Sequence, residues 1–370
     1  MTTISKLGIY IHIPFCLSKC KYCGFYSHGG ASEAEQREYV ESLFDDIEEY
    51  GRVYGEEYFV DTIFIGGGTP SILPSSYIGE ILDCIRACFN VEEDAEISME
   101  SNPKTLTYQK LVDYRKAGVN RLSIGVQSLN DDCLKALGRA HTVADFKRNF
   151  IMAREAGFDN INMDLMFAIP GHTLEIWEET LDEAIELGPE HISFYSLQIE
   201  EGTPFYDMYR KGEFDQVPDD IDREMYHLAI SKLKAAGYEH YEISNASKSG
   251  KPCRHNLKYW SMEDYLGIGS AASSYMQGVR FVEAPAMEFH QNDFDDETSE
   301  FVFTGLRKTC GIRFDDFEKR YGRKFWDVFG DRRNQLEEYF EAGQLIETEE
   351  GLRLSEEGFD ISNAIMAVFC

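Results

Sequence analysis

Between Gly8 and about residue 245, short β-rich apolar runs alternate with stretches of helical period, and this rhythm constrains the fold more than any other feature of the chain. The runs lie at 9–13, 62–65, 96–99, 121–126, 161–165 and 191–195, and helix-period segments at 34–52, 75–90, 107–117, 143–156 and 173–187 separate them. Strands with a helix between each pair must run parallel, because a parallel crossover needs about a dozen residues. The expectation is an α/β fold with a six-stranded parallel sheet. Periodicity leaves open whether the sheet is doubly wound and open or curved into a partial barrel.

Residues 204–222 depart from the rhythm; a helix at 223–236 and a strand at 238–243 resume it. From about residue 295 the pattern changes to helices at 296–307, 314–320 and 332–342, a hairpin at 345–348 and 351–355, and a final helix. That is a winged-helix-like α+β pattern. The expected division is therefore a barrel or sheet unit at 1–245, a connecting segment at 246–294 and a C-terminal domain at 295–370. The chain carries 66 acidic against 36 basic residues, a net charge of −30, which argues against nucleic acid or an anionic membrane as partner. No run approaches the ~20 apolar residues of an integral membrane segment, and residues 1–6 lack the basic start of a signal peptide, so a cytoplasmic protein is expected.

In that compartment nine cysteines are thiols or metal ligands rather than disulfides. Cys16, Cys20 and Cys23 fall within eight residues directly after the first strand. A loop of three thiolates with no nearby fourth suits a 4Fe–4S cluster with one iron left open. The alternative is a structural zinc site completed by His12 or His28. Cys84, Cys88, Cys133, Cys253, Cys310 and Cys370 are isolated, and each is expected to be a small buried hydrophobe. The Gly66-Gly67-Gly68-Thr69-Pro70 turn after the second strand lets the backbone approach a ligand. Glu100, Gln127 and Asp164 stand at or near successive strand ends, which converge on one rim in a parallel barrel.

The C-x3-C-x2-C loop with an aromatic before its third cysteine resembles the radical S-adenosylmethionine superfamily. The resemblance implies a partial (β/α)6 barrel, a cluster on Cys16, Cys20 and Cys23, and reductive cleavage of the cofactor to a 5′-deoxyadenosyl radical. Ile11-His12-Ile13-Pro14-Phe15-Cys16, the GGGTP turn, Asn120-Arg121-Leu122-Ser123-Ile124-Gly125-Val126-Gln127-Ser128, Leu137-Gly138-Arg139-Ala140-His141 and Ile169-Pro170-Gly171 resemble the coproporphyrinogen-oxidase-like group. Carried across on those motifs, Tyr10, Tyr22, Gly67, Gly68, Thr69, Glu100, Gln127, Arg139 and Asp164 would contact S-adenosylmethionine.

The oxidase branch carries a further cysteine where this chain has Phe25, and a segment ahead of the cluster strand for which residues 1–15 leave no room. Both differences point to the HemW-type haem chaperone branch, which binds haem and passes it to acceptor proteins. The alternative is an oxygen-independent coproporphyrinogen III oxidase. Cys253-Arg254-His255-Asn256-Leu257-Lys258-Tyr259-Trp260 contains the haem-chaperone branch's proposed haem motif, which makes His255 the candidate iron ligand, Cys253 a second one and Arg254 a partner for a propionate. Read without the resemblance, His255, Tyr259 and Trp260 also suit ordinary packing. Ser273 stands where relatives carry a histidine. Haem, a haem-accepting protein and a second copy of the chain in a homodimer are the expected partners.

Overall fold

A computed structural model of the protein describes residues 5–370. Six strands match the six apolar runs: β1 (Ser5–Ile13), β2 (Tyr58–Gly67), β3 (Asn90–Ser101), β4 (Arg121–Gln127), β5 (Ile161–Phe167) and β6 (His191–Ser196). They pair in parallel and in sequence order. The helices between them are α1 (Glu33–Tyr54), α2 (Ser75–Cys88), α3 (Tyr108–Ala117), α4 (Asp131–Leu137), α5 (Val143–Glu155) and α6 (Leu174–Leu187). The first starts at a capping box, with Ser32 receiving the Glu35 backbone N–H and the Glu35 carboxylate receiving that of Ser32. It buries Gln36, Val40, Leu43 and Ile47, one side chain per turn. Gly118, Gly138 and Gly188 stop α3, α4 and α6 in the left-handed conformation that glycine adopts without penalty.

The sheet is larger than the six runs. After α7 (Pro204–Arg210) and α8 (Asp219–Ala235), the strands β7 (Glu239–Glu242) and β8 (Asn245–Ser247) add antiparallel pairing beside β6. Helix α9 (Arg254–Trp260) leads to β9 (Tyr265–Ile268), which pairs in parallel with β1 on its other side. Antiparallel β10 (Ser273–Met276), β11 (Val279–Val282) and β12 (Glu288–Gln291) follow, so the strand order is β12-β11-β10-β9-β1-β2-β3-β4-β5-β6-β8-β7. These short strands at 265–291 lack the apolar runs that announce β1 to β6.

Side chains alternate along each strand. One set, including Ile9, Ile11, Ile63, Ile65, Leu122, Ile124, Met163 and Leu165, joins the buried apolar core with the helices. The other set is polar: Ser98 and Glu100, Arg121 and Ser123, Asn162 and Asp164, His191 and Ser193. The fold is a mixed α/β partial barrel of the TIM type with a polar interior.

In the C-terminal part, α10 (Phe294–Gly305) and α11 (Phe314–Tyr321) correspond to expected helices, and β14 (Leu345–Glu347) with β15 (Gly351–Leu354) forms the expected hairpin, joined by β13 (Ile312–Arg313). The expected helix over 332–342 is broken instead. A helix at Phe325–Phe329 precedes a 3-10 segment at Gly330–Gln335 and one turn at Glu337–Glu341. Phe325 and Phe329, one turn apart, bury against Phe317 and Phe369, and this aromatic packing overrides the local period. Arg320 ties the part to the sheet by donating to the Met262 carbonyl at 2.9 Å and the Tyr275 hydroxyl at 2.8 Å. Of the isolated cysteines, Cys133 and Cys253 are buried, Cys84 and Cys88 half-buried, and Cys310 and Cys370 exposed. The expectation of burial fails for the last two, at a loop and at the chain end, where no element covers them.

Candidate functional site

The cysteine loop leaves β1 and comes back to it. Phe15 and Cys16 pair with His28 and Gly29 in a two-residue parallel ladder, which closes the loop at its base. The glycine turn after β2 is pinned to the same base: Gly68 donates its N–H to the Ile13 carbonyl and Thr69 to that of Phe15, each at 2.8 Å. A Cβ at Gly68 would stand 2.7 Å from the Phe15 carbonyl oxygen and 3.1 Å from Cys16 Sγ. Gly67 has φ of +109°, and a Cβ there would meet the His12 ring at 2.5 Å. Both positions therefore need glycine. His12 donates Nε2–H to the Tyr26 carbonyl at 2.9 Å and accepts the Tyr10 hydroxyl on Nδ1 at 3.0 Å, so it clamps the loop with both ring nitrogens engaged.

A cavity of about 150 Å³ opens between this loop and the ends of β2 to β5. Cys16, Cys20, Cys23, Tyr22, Gly67, Gly68, Thr69, Glu100, Gln127, Arg139 and Asp164 all line it. Tyr10 lies one layer deeper and His255 lies elsewhere. Among the described residues no three histidine, cysteine or acidic side chains converge at single-ion distance. Thr69 Oγ1 donates to Cys16 Sγ at 3.6 Å, and Arg139 Nη1 to Cys20 Sγ at 3.4 Å. The Arg139 Nη2 group donates to the Gly125 carbonyl at 2.5 Å, while its buried Nε has no partner.

The carboxylates are arranged differently. Glu100 accepts the Gly67 N–H at 3.0 Å and is otherwise enclosed, so burial, with Asp164 nearby, pushes its carboxyl up to about 8. Asp164 accepts the Ser123 hydroxyl at 3.0 Å and the Asn162 amide at 2.7 Å, yet burial still raises it. Gln127 takes a left-handed φ of +68°, unusual for a residue with a side chain, where the β4–β5 register shifts. Its Oε1 accepts the Tyr195 hydroxyl at 2.7 Å. Tyr195 also lines the cavity, and sequence reasoning passed over it because it ends an apolar strand and reads as a packing residue. Phe25 lines this cavity and three neighbouring ones, and its ring is exposed on the loop.

Comparison with known proteins gives the family and the fold. The Radical SAM superfamily profile matches residues 10–184, and the HemN C-terminal domain profile matches residues 293–361. A protein of Bacillus subtilis named heme chaperone HemW is 36% identical over 376 residues, spanning 97% of this chain and 98% of that one. This chain belongs to the HemW family of radical SAM proteins. The Escherichia coli protein of the same name is 43% identical over 274 residues, covering 74% of this chain and 71% of that one. In fold, this chain shares its architecture with the coproporphyrinogen III oxidase HemN of Escherichia coli, at a TM-score of 0.86 and 22% identity over 99% of this chain and 90% of that chain.

The stretch around His255 is a different environment. Helix α9 packs against the polar face of the sheet, where Glu96 accepts the Arg254 N–H at 2.9 Å, the His255 N–H at 3.3 Å and the Cys253 thiol at 3.5 Å. His255 is fully buried, stacked on Phe64 with ring centroids 5.4 Å apart. Its Nδ1 pairs with Thr62 Oγ1 and its Nε2 with the Tyr259 hydroxyl, each at 2.8 Å. Burial, then Lys258 and Arg121, lowers its pKa to about 3, so the ring is neutral. Burial likewise pushes the Cys253 thiol up to about 12. Arg254 donates to the Asp94 carbonyl at 2.8 Å. Tyr259 and Trp260, by contrast, face a cavity of about 360 Å³ shared with Tyr10, Phe25, Tyr26 and Tyr265, and Ser273 stands on its wall.

Proposed function

We propose that the protein holds a 4Fe–4S cluster on Cys16, Cys20 and Cys23, binds S-adenosylmethionine beside it, and carries haem to an acceptor protein. The observation that carries the reading is the convergence of eleven predicted residues, from the loop and several strand ends, on one cavity. A cubane spreads three cysteine ligands over three iron atoms, so thiols set around a cavity suit it, whereas a lone zinc ion needs them at one point. His12, one of the two candidates for a fourth zinc ligand, already uses both nitrogens. When bound, such a cluster supplies an open iron position and an electron.

The chain's own groups do the rest. Gly67 and Gly68 let backbone approach a ligand without a Cβ in the way, and Thr69 and Arg139 each place a donor on a thiol. Glu100 and Asp164 offer carboxyl groups to hydroxyl or amino donors of a nucleoside. The haem reading draws on the HemW relatives and on the aromatic cavity beside α9, which offers flat apolar walls to a macrocycle. No helix among the described residues is long and apolar enough to cross a membrane.

The test is an anaerobic incubation of the reconstituted, reduced protein with S-adenosylmethionine and coproporphyrinogen III, alongside a haem titration. Haem uptake without a decarboxylated porphyrin is expected. Protoporphyrinogen formed together with 5′-deoxyadenosine would overturn the carrier reading in favour of the oxidase.

A further inference from the structure

The interior of a barrel of this type is ordinarily packed with branched aliphatic side chains. Here it encloses a second cavity of about 320 Å³, lined by Arg121, Ser123, Asn162, Ser193, Asn256 and Tyr259 among others. Arg121 is only 2% exposed. Its Nε has no partner, its Nη1 reaches no more than Ser98 Oγ at 3.5 Å, and it forms no ion pair among the described residues.

Glu96 and Asp164 favour its charge through space, but no carboxylate among the described residues hydrogen-bonds to it. Glu96 is taken up by the backbone of α9, by the Cys253 thiol and by the Ser98 hydroxyl at 3.2 Å. Glu100 and Asp164 line the same cavity, but Glu100 is held by the Gly67 N–H and Asp164 by Ser123 and Asn162, and neither reaches the guanidinium with a hydrogen bond. A buried guanidinium with unused donors is costly to the fold unless an anion meets it. A planar fork of N–H groups matches a carboxylate.

We propose that Arg121 is the anchor of a carboxylate-binding site inside the barrel, filled by an acidic arm of a ligand seated at the rim. In the haem-carrying reading, on which only the source of the carboxylate rests, that arm is a propionate of the tetrapyrrole. The aromatic cavity beside α9 shares Tyr10, Phe25 and Tyr259 with the interior cavity, so a ring held in one can send a propionate into the other. The methionine carboxylate of S-adenosylmethionine is the other source of the same chemistry.

The test uses the full chain, wild type against Arg121→Gln and Arg121→Met. Each protein is titrated with iron protoporphyrin IX and with its dimethyl ester in one detergent, and S-adenosylmethionine binding is measured by equilibrium dialysis. The wild type is expected to prefer the free acid by roughly tenfold, the worth of one charge-assisted pair, and the variants to bind acid and ester alike. Variants that keep the acid preference but lose S-adenosylmethionine affinity would keep the site and assign it to the methionine carboxylate. A wild type that takes up no haem would sink the haem reading and leave the dialysis to decide the site. Acid preference and dialysis both unchanged would overturn the proposal. Melting of the ligand-free proteins adds a second readout: removing an unpaired buried cation should not lower the midpoint. A clear fall in both variants with binding unchanged would make Arg121 a structural residue.

Discussion

The rim at the cysteine loop and the helix that carries His255 are both short motif-bearing segments, yet they are built in opposite ways. At the rim, a loop, a glycine turn and several strand ends converge on a shared cavity, and a buried Arg139 nitrogen there is left without a partner. Along α9 the polar groups on the sheet side are matched within the protein, and the buried Trp260 indole N–H, on the cavity side, is left without a partner. His255 uses both nitrogens, Glu96 holds the helix start, and Lys258 pairs with Asp61 at 2.8 Å and Glu263 at 2.9 Å. A site awaiting a ligand keeps donors and acceptors spare, whereas a satisfied helix is already committed to packing. The difference leaves the cavity side of α9, at Tyr259 and Trp260, open to a ligand, while the His255 ring is enclosed.

The largest effect that sharpens this contrast is at the rim. Cys20→Ser should abolish nearly all iron uptake on anaerobic reconstitution, read by iron and sulfide analysis. It should shift unfolding of the cluster-free protein by less than ~0.5 kcal/mol, as for a half-buried side chain with one weak contact. Full iron retention would break the cluster assignment. At the helix the order reverses. His255→Ala removes two buried hydrogen bonds and an aromatic stack, so denaturant unfolding of the ligand-free protein should lose about 2–4 kcal/mol. Unchanged stability would mean that the ring is free for another task.

The smallest effect is a pH dependence. The Glu100 carboxyl sits at about 8 when folded against an ordinary 4.5, so the folded state binds the extra proton between those values. Its contribution is fully present below about pH 4.5 and is lost as pH rises towards 8. Glu100→Gln should therefore raise the melting midpoint at pH 8 by roughly 2–4 °C and leave it unchanged at pH 4.5. An equal shift at both values would show that the carboxyl is not held neutral.

Residues whose neighbours are near in sequence were read well. The six parallel strands, the helices between them and the cysteine loop all follow from local period and spacing. The strands at 265–291 were missed, because each is four residues long and is stabilised by pairing with its neighbours rather than by an apolar run. Tyr195 was missed because its partner, Gln127, lies 68 residues away.

What the chain determined by itself is the alternation that forces a parallel sheet, the glycine turn and the three-cysteine loop. Each depends on geometry within a few residues of itself. Only the tertiary structure decided which side of the motif around His255 is available, that Arg121 lies buried with unused donors, and that β9 continues the sheet on the far side of β1. Those outcomes depend on burial and on partners distant in sequence, where the cost of an unpaired polar group and the closeness of its neighbour exist only once the chain has folded.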